Sequence, residues 1–112
     1  MTFEELRQKL QNLDLKELRF DLEDYLEFVV QAQCMDQVKI ILDLYFGHEV
    51  NIHDLSTAKE AVEFVEKWGG IRSNQTLYYS SRDGSTEYAM LWPWCDGNRI
   101  SVKVAQCRSY RQ

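Results

Sequence analysis

Proline and glycine are scarce in this sequence: one proline and five glycines occur among 112 residues. Flexible linkers and low-complexity segments are rich in these two residue types, so a long linker between domains is excluded. Apolar residues make up 45% of the sequence, more than a disordered chain contains. The sequence therefore predicts a single domain over residues 1–112.

Cysteine is also scarce, and its spacing is irregular. The three cysteines (Cys34, Cys95 and Cys107) form an odd number without a Cys-x-x-Cys pair, which argues against a disulfide framework. No apolar run approaches the length of a membrane span, and the acidic N-terminus does not resemble a secretory signal. These features predict a cytoplasmic protein that does not contact a membrane.

Charge is unevenly distributed along the chain. Residues 1–70 carry 15 acidic and 7 basic side chains, whereas residues 71–112 carry 3 acidic and 6 basic ones. An acidic surface repels phosphate backbones, which makes nucleic acid an unlikely partner. The acidic half suits a basic protein partner instead.

The first half of the sequence has the spacing of helices. Thr2 and Glu5 form a capping box for a first helix that reaches about Leu10. A second helix is predicted over residues 15–32, because apolar residues recur there at three- and four-residue steps. That stripe comprises Leu15, Leu18, Leu22, Tyr25, Leu26 and Val29.

Two further helical segments are less uniform. Residues 37–46 end at Gly47, a natural helix C-cap, but their short apolar run also suits an inner strand, so both interpretations stay open. Thr57 and Glu60 form a second capping box, and this helix is expected to end at Gly69-Gly70. Residues 1–70 are thus predicted to be the helical part of the domain.

Strands are predicted in the remainder, over residues 76–80, 86–92 and 100–106. Asp83-Gly84 is a strong signal for a tight hairpin turn, and the strands form an antiparallel meander within residues 74–107. The predicted fold class is α+β, with three or four N-terminal helices packed on a C-terminal three-stranded antiparallel meander. The predicted core comprises Leu18, Leu22, Leu26, Val29, Ile41, Val62, Val65, Leu91, Val102 and Val104.

Motifs of catalysis, metal binding and cofactor binding are missing from the sequence. His48 and His53 lie five residues apart rather than the four that a zinc-protease helix requires, and neither Cys34 nor Asp54 fixes a metal geometry with them. No glycine-rich phosphate loop or nucleophile elbow occurs. We therefore predict no catalytic residue, metal or cofactor, and a function that is more consistent with binding than with catalysis.

Phe20 is the first candidate for a binding residue. On the predicted second helix it lies off the apolar stripe, surrounded by Glu17, Glu23, Asp24 and Glu27. An aromatic side chain within a polar rim is typical of an interaction hot spot. The alternative is that Phe20 packs beneath a neighbouring element.

The second candidate is one face of the predicted meander. A two-residue turn at Asp83-Gly84 places Tyr79 opposite Tyr88 and Leu77 opposite Met90, on the same face as Trp92, Ser101 and Lys103. The other face carries Ala89, Leu91, Ile100, Val102 and Val104. Because both faces are apolar, the aromatic one needs a cover, from the same chain, a second copy or a partner.

Three functions are consistent with these features. The first is a non-enzymatic, acidic interaction module of the inhibitor, immunity or regulatory kind, which binds a basic partner through the two candidate surfaces. The second is a small-molecule-binding or hydrolytic domain with a pocket between the helices and the aromatic sheet face. The third is a small structural subunit, including a homodimer formed through that face.

Overall fold

The computed structural model describes residues 1–50, 66, 75–82 and 84–108. Two helices and five strands occur in this part of the chain. In chain order they are α1 (Phe3–Gln11), β1 (Leu15–Leu22), β2 (Tyr25–Gln31), a 3₁₀ turn (Ala32–Cys34), α2 (Met35–Phe46), β3 (Thr76–Arg82), β4 (Ser85–Pro93) and β5 (Arg99–Arg108).

The five strands form one antiparallel sheet in the order β1-β2-β5-β4-β3. The predicted fold class is therefore wrong. The described chain has two helices and a mostly β architecture, not three or four N-terminal helices on a three-stranded meander. The error lies in residues 15–32, which form a hairpin instead of a long helix.

Irregular pairing within the hairpin explains this error. Its register shifts between Leu15 and Glu17 and again between Leu18 and Phe20, so that β1 contains two extra residues relative to β2. Each bulge delays the alternation of faces by one residue. Leu15, Leu18 and Asp21 thus share one face at three-residue spacing, so the step from Leu15 to Leu18 imitates the period of a helix. The remaining residues of the predicted stripe are divided between the two faces: Leu26 lies with Leu15 and Leu18, and Leu22, Tyr25 and Val29 lie on the other face.

Local chemistry marks the start of α1 and the end of α2. The Thr2 hydroxyl accepts a hydrogen bond from the Glu5 N–H at 3.1 Å, which confirms the Thr2 half of the predicted capping box of α1. The Glu5 carboxylate accepts from the Thr2 hydroxyl at 3.3 Å. The segment over residues 37–46 is helical, within α2. Gly47 follows it with φ of 99°, a conformation that favours glycine. The predicted helix after Thr57 lies outside the described residues except for Glu66, which is helical.

The strand pairing of the last three strands is confirmed. Tyr79 lies opposite Tyr88 and Leu77 lies opposite Met90, as the position of the Asp83-Gly84 turn predicted. Leu91 lies opposite Val102, which agrees with the prediction that the two side chains share one face of the sheet. Each strand is longer than expected by two or three residues. What the sequence did not reveal is that β5 continues the sheet by pairing with β2.

Both described helices pack on one face of the sheet, the helix-covered face. Phe3, Leu6 and Leu10 of α1 and Val38 and Leu42 of α2 belong to one buried cluster with side chains from β2 to β5. The sheet side chains of this cluster are Leu26, Phe28, Val30, Tyr78, Ala89, Leu91, Ile100, Val102 and Val104. This cluster is the main core of the described residues.

The core prediction is partly confirmed. Leu26, Val29, Leu91, Val102 and Val104 are buried and Ile41 is half-buried. In contrast, Leu18 and Leu22 are about half exposed, because they lie on the edge strand β1 rather than on a helix. Val62 and Val65 lie outside the described residues. In the described part of the chain, no helix combines the length and apolar character needed to cross a membrane.

Candidate functional site

The second face of the sheet carries most of the predicted binding residues, and we call it the aromatic face. Two rows of paired side chains cross it. One row runs from β1 to β3 through Phe20, Glu27, Lys103, Met90 and Leu77, and the next through Leu22, Tyr25, Ala105, Tyr88 and Tyr79. Neither described helix contributes to the apolar cluster on this face.

This arrangement places on one face two candidate surfaces that were predicted separately from the sequence. Phe20, Glu17 and Glu27 were predicted on a helix, and Tyr79, Tyr88 and Trp92 on a sheet. Strand pairing places all six side chains on the aromatic face, since each lies in register with neighbours on that face. The other two predicted residues, Glu23 and Asp24, form the turn between β1 and β2, which we call the acidic turn.

Phe20 is 51% exposed, so it does not pack beneath another element. Its ring lies 5.9 Å from the ring of Tyr25, centre to centre, in a tilted arrangement. Leu22, also on this face, is 54% exposed. Two large apolar side chains therefore lie at the surface beside the acidic turn.

In the part of the chain that the structure describes, two of the four carboxylates predicted around Phe20 form ion pairs, and the other two do not. Arg19 Nε lies 3.2 Å from a Glu17 oxygen, and its NH1 lies 3.6 Å from Glu27 Oε2. Glu27 is buried and also accepts a hydrogen bond from the Tyr25 hydroxyl at 2.5 Å. Within the described residues, no ion pair involves Glu23 or Asp24, both of which are exposed. The uncompensated negative charge is thus concentrated at the acidic turn.

A cavity of about 370 Å³ opens on the aromatic face next to this turn. Its walls include Leu22, Tyr25, Tyr88, Met90 and Ala105, with Asp24 at one side and the half-buried Cys107 at another. The volume is at the lower end of the range for small-ligand pockets and is ample for an apolar side chain. The described helices lie on the opposite face, so this cavity does not lie between them and the aromatic side chains.

Burial favours the neutral forms of two tyrosines and one cysteine in this cavity. Burial, assisted by the hydrogen bond to Glu27, raises the pKa of Tyr25, and burial raises the pKa of Tyr88 to about 12. Burial, assisted by the charge of Asp24, raises the pKa of the Cys107 thiol. A thiol is nucleophilic as its thiolate, so this shift weakens Cys107 as a nucleophile near neutral pH. The cavity walls are suited to packing and hydrogen bonding.

A lysine and a tryptophan lie together at the centre of the aromatic face. Lys103 Nζ is 3.8 Å from the centre of the Trp92 ring, a cation–π contact. This contact fixes both side chains on the half-buried part of the face. It also means that the face carries positive charge in its middle and negative charge at the acidic turn.

Several residues of this face were missed by the sequence reasoning. Tyr25 was placed on the apolar stripe of the predicted helix, and Arg19 and Trp94 received no role. The available signal was the alternation of Leu26, Phe28 and Val30, which is typical of a strand with one buried face. That alternation would have placed Tyr25 and Glu27 together on the other face.

The two histidines considered as metal ligands follow α2 in the sequence. His48 lies in the exposed segment after α2, whereas His53 and Asp54 lie outside the described residues. Among the residues that the structure describes, no group of three histidine, cysteine or acidic side chains is placed to hold a metal ion.

Comparison with protein-family models, with curated proteins and with solved structures found no match to this chain.

Proposed function

We propose that this chain is a protein-interaction module whose aromatic face binds a basic, apolar segment of a partner protein. The observation that carries this proposal is the position of the 370 Å³ cavity, next to exposed Phe20 and Leu22 and to the acidic turn. An apolar side chain of the partner enters the cavity, and a neighbouring lysine or arginine meets Glu23 and Asp24. An inhibitor or immunity-type role and a cytoplasmic location belong to the same proposal.

Aromatic composition supports this function. Tyrosine and tryptophan are enriched among interaction hot spots, because they bury a large area with few freely rotating bonds. On this face Phe20 lies at the exposed edge, while Tyr25 and Tyr88 form the walls of the cavity. Truncation of Phe20 therefore removes exposed contact area without opening the core.

Charge complementarity supports the choice of a basic partner. Glu17 and Glu27 share one cation, Arg19, whereas neither Glu23 nor Asp24 forms an ion pair among the described residues. Rim charges of this kind speed association by steering more than they slow dissociation. The partner segment is thus expected to carry lysine or arginine close to its apolar residue.

The test is affinity capture with a matched pair of variants. Phe20→Ala and Leu44→Ala both remove an exposed apolar side chain, and Leu44 lies on α2, in the helical layer. Wild type and both variants are used to capture proteins from the native host, followed by mass spectrometry. The expected partner is captured by wild type and by Leu44→Ala and is lost with Phe20→Ala.

Kinetics with the captured partner complete the test. Phe20→Ala should speed dissociation and weaken affinity by about 2 kcal/mol. Glu23→Lys should slow association and flatten its dependence on salt. Glu27 is unsuitable for this purpose because it is buried. Equal capture by wild type and Phe20→Ala, or a self-associated chain in which Phe20 is buried, would contradict the proposal.

A further inference from the structure

The end of the aromatic face opposite the acidic turn contains a second, larger cavity. Its volume is about 780 Å³, and it lies where β1 begins and β2 ends, against the loop between β4 and β5. Lys16, Arg99 and Trp94 contribute to its walls, together with the amide side chains of Gln33 and Asn98. The two cavities have no wall residue in common.

We call this second cavity, which Lys16 and Arg99 line, the basic cavity. Its walls are fixed by backbone hydrogen bonds. Trp94 N–H donates to the Arg99 carbonyl at 2.9 Å, and Ala32 N–H donates to the Asn98 carbonyl at 2.9 Å. Gly97 closes the loop with φ of 72°, a conformation that favours glycine. The loop and the 3₁₀ turn therefore form a connected wall.

Trp94 holds a guanidinium group at the cavity. Its indole N–H donates to the Ser101 hydroxyl at 2.8 Å, which fixes the ring, and the guanidinium carbon of Arg99 lies 5.2 Å from the ring centre. Stacking on an aromatic ring restrains the planar guanidinium while its N–H groups stay available at the edge. Arg99 is exposed. Such a group is preorganised to donate two parallel hydrogen bonds to an oxyanion.

The charges around the cavity leave a positive excess. Glu17 also contributes to the wall, but Arg19 compensates it at 3.2 Å, and Arg19 lies at the Trp94 ring as well. The Asp96 carboxylate accepts a hydrogen bond from the Asn98 N–H within the loop. Among the described residues, neither Lys16 nor Arg99 forms an ion pair. These two cations are available to a ligand.

We propose that the basic cavity binds a small organic anion, through a phosphate or carboxylate group that Arg99 holds with two hydrogen bonds and Lys16 neutralises. The volume lies within the range of about 300–1,000 Å³ that is usual for small-molecule sites. The amides of Gln33 and Asn98 supply donors and acceptors for the remainder of the ligand. This site is separate from the protein-binding end of the face and does not depend on it.

The test is an NMR titration of the full chain at constant ionic strength. The probes are inorganic phosphate and acetate, each compared with sodium chloride, and the signals are the Trp94 indole N–H and the Arg99 Nε–H. The indole signal is assigned by its loss in Trp94→Phe. Saturable shifts with phosphate, with acetate or with both are expected, and the probe that binds more tightly identifies the anionic group.

Variants decide whether the binding is at this site. Arg99→Ala should weaken binding of the preferred probe about tenfold or more, as expected for loss of charge-assisted hydrogen bonds. Arg99→Lys should bind with intermediate affinity, since lysine keeps the charge but not the fork of donors. Lys9→Ala removes an exposed lysine on α1 and serves as the matched control, with affinity unchanged.

Two results would overturn the proposal. One is a shift that grows linearly with each salt, chloride included. The other is equal affinity of wild type and Arg99→Ala for the saturating probe. Phe20→Ala should bind the probe as wild type does, so a failure of the protein-binding proposal leaves this result unaffected.

Discussion

The two faces of the sheet differ in composition and in the reach of their polar contacts. On the helix-covered face, polar groups join separate layers: the Tyr78 hydroxyl of β3 donates to Asp43 of α2 at 2.8 Å, and Arg7 of α1 pairs with Asp21 of β1. On the aromatic face, the pairs Tyr25–Glu27 and Lys103–Trp92 lie within the face itself. The first face holds the fold together, whereas the second presents a preformed surface.

The largest contrast is expected from two leucines of one helix. Leu42 is fully buried against the sheet and Leu44 is 71% exposed. Leu42→Ala should lower the free energy of unfolding by about 2–5 kcal/mol, because it leaves a cavity in the core. Leu44→Ala should change it by less than about 0.5 kcal/mol. Urea denaturation of both variants measures the difference. A similar loss of unfolding free energy in the two variants would contradict the placement of the core.

A smaller effect is expected at the contact between β3 and α2. Tyr78→Phe removes the hydroxyl that donates to Asp43 and should cost about 1–2 kcal/mol, since the acceptor is charged but exposed to water. A double-mutant cycle with Asp43→Ala isolates the pairwise energy. A coupling energy near zero would show that the hydrogen bond does not join the two layers.

The third expected effect is a loss of folding stability through tyrosine ionisation, which is absent at neutral pH and develops at alkaline pH. The pKa of Tyr78, Tyr25 and Tyr88 is raised in the folded chain, chiefly by burial, that of Tyr88 to about 12. Below about pH 10 these phenols are neutral in both states. Above it the unfolded chain loses protons that the folded chain retains, so the free energy of unfolding should fall as pH rises from about 10 to about 12.

Phenolate absorbance and urea denaturation at increasing pH measure this effect. Three tyrosines should titrate only as the chain unfolds, and Tyr25→Phe should remove part of the alkaline loss of stability. Reversible titration of all tyrosines near pH 10 in the folded chain would contradict the burial of these phenols. The comparison of Tyr25→Phe with Tyr78→Phe separates the contributions of the two faces.

The meander could be predicted from the sequence because a local signal fixes its register. The sequence Asp83-Gly84 predicts a two-residue turn, and the pairs between β3 and β4 follow from that prediction, including Tyr79 with Tyr88. The same parity assigned Trp92 and Lys103 to the aromatic face. Pairing of β5 with β2 depends on residues far apart in the chain, and no local signal reports it.

The hairpin of β1 and β2 could not be predicted from spacing alone. Two bulges give its first strand a three-residue repeat, which a helix shares. Phe20 was nevertheless a candidate for a surface binding residue, and the structure decides between the two alternatives, since its side chain is about half exposed. A residue off the stripe of a helix and a residue on a bulged edge strand both avoid the core. Its neighbours were predicted in part: Glu27 lies opposite Phe20, and the ring of Tyr25, which the helix did not place there, lies beside it.

The pairing of β2 with β5 has a consequence for synthesis of the chain. Tyr25 lies opposite Ala105 and Gln31 lies opposite Arg99, so the ladder at the centre of the sheet joins residues 68 to 80 positions apart. During synthesis α1 and the first hairpin leave the ribosome before β5, so β2 cannot pair with β5 until β5 has emerged. Such long-range pairing slows folding, because a large loop must close before its contacts form. During this interval Phe28 and Val30, which are buried in the core of the folded chain, lack the cover of β5, and exposed apolar side chains of this kind favour aggregation.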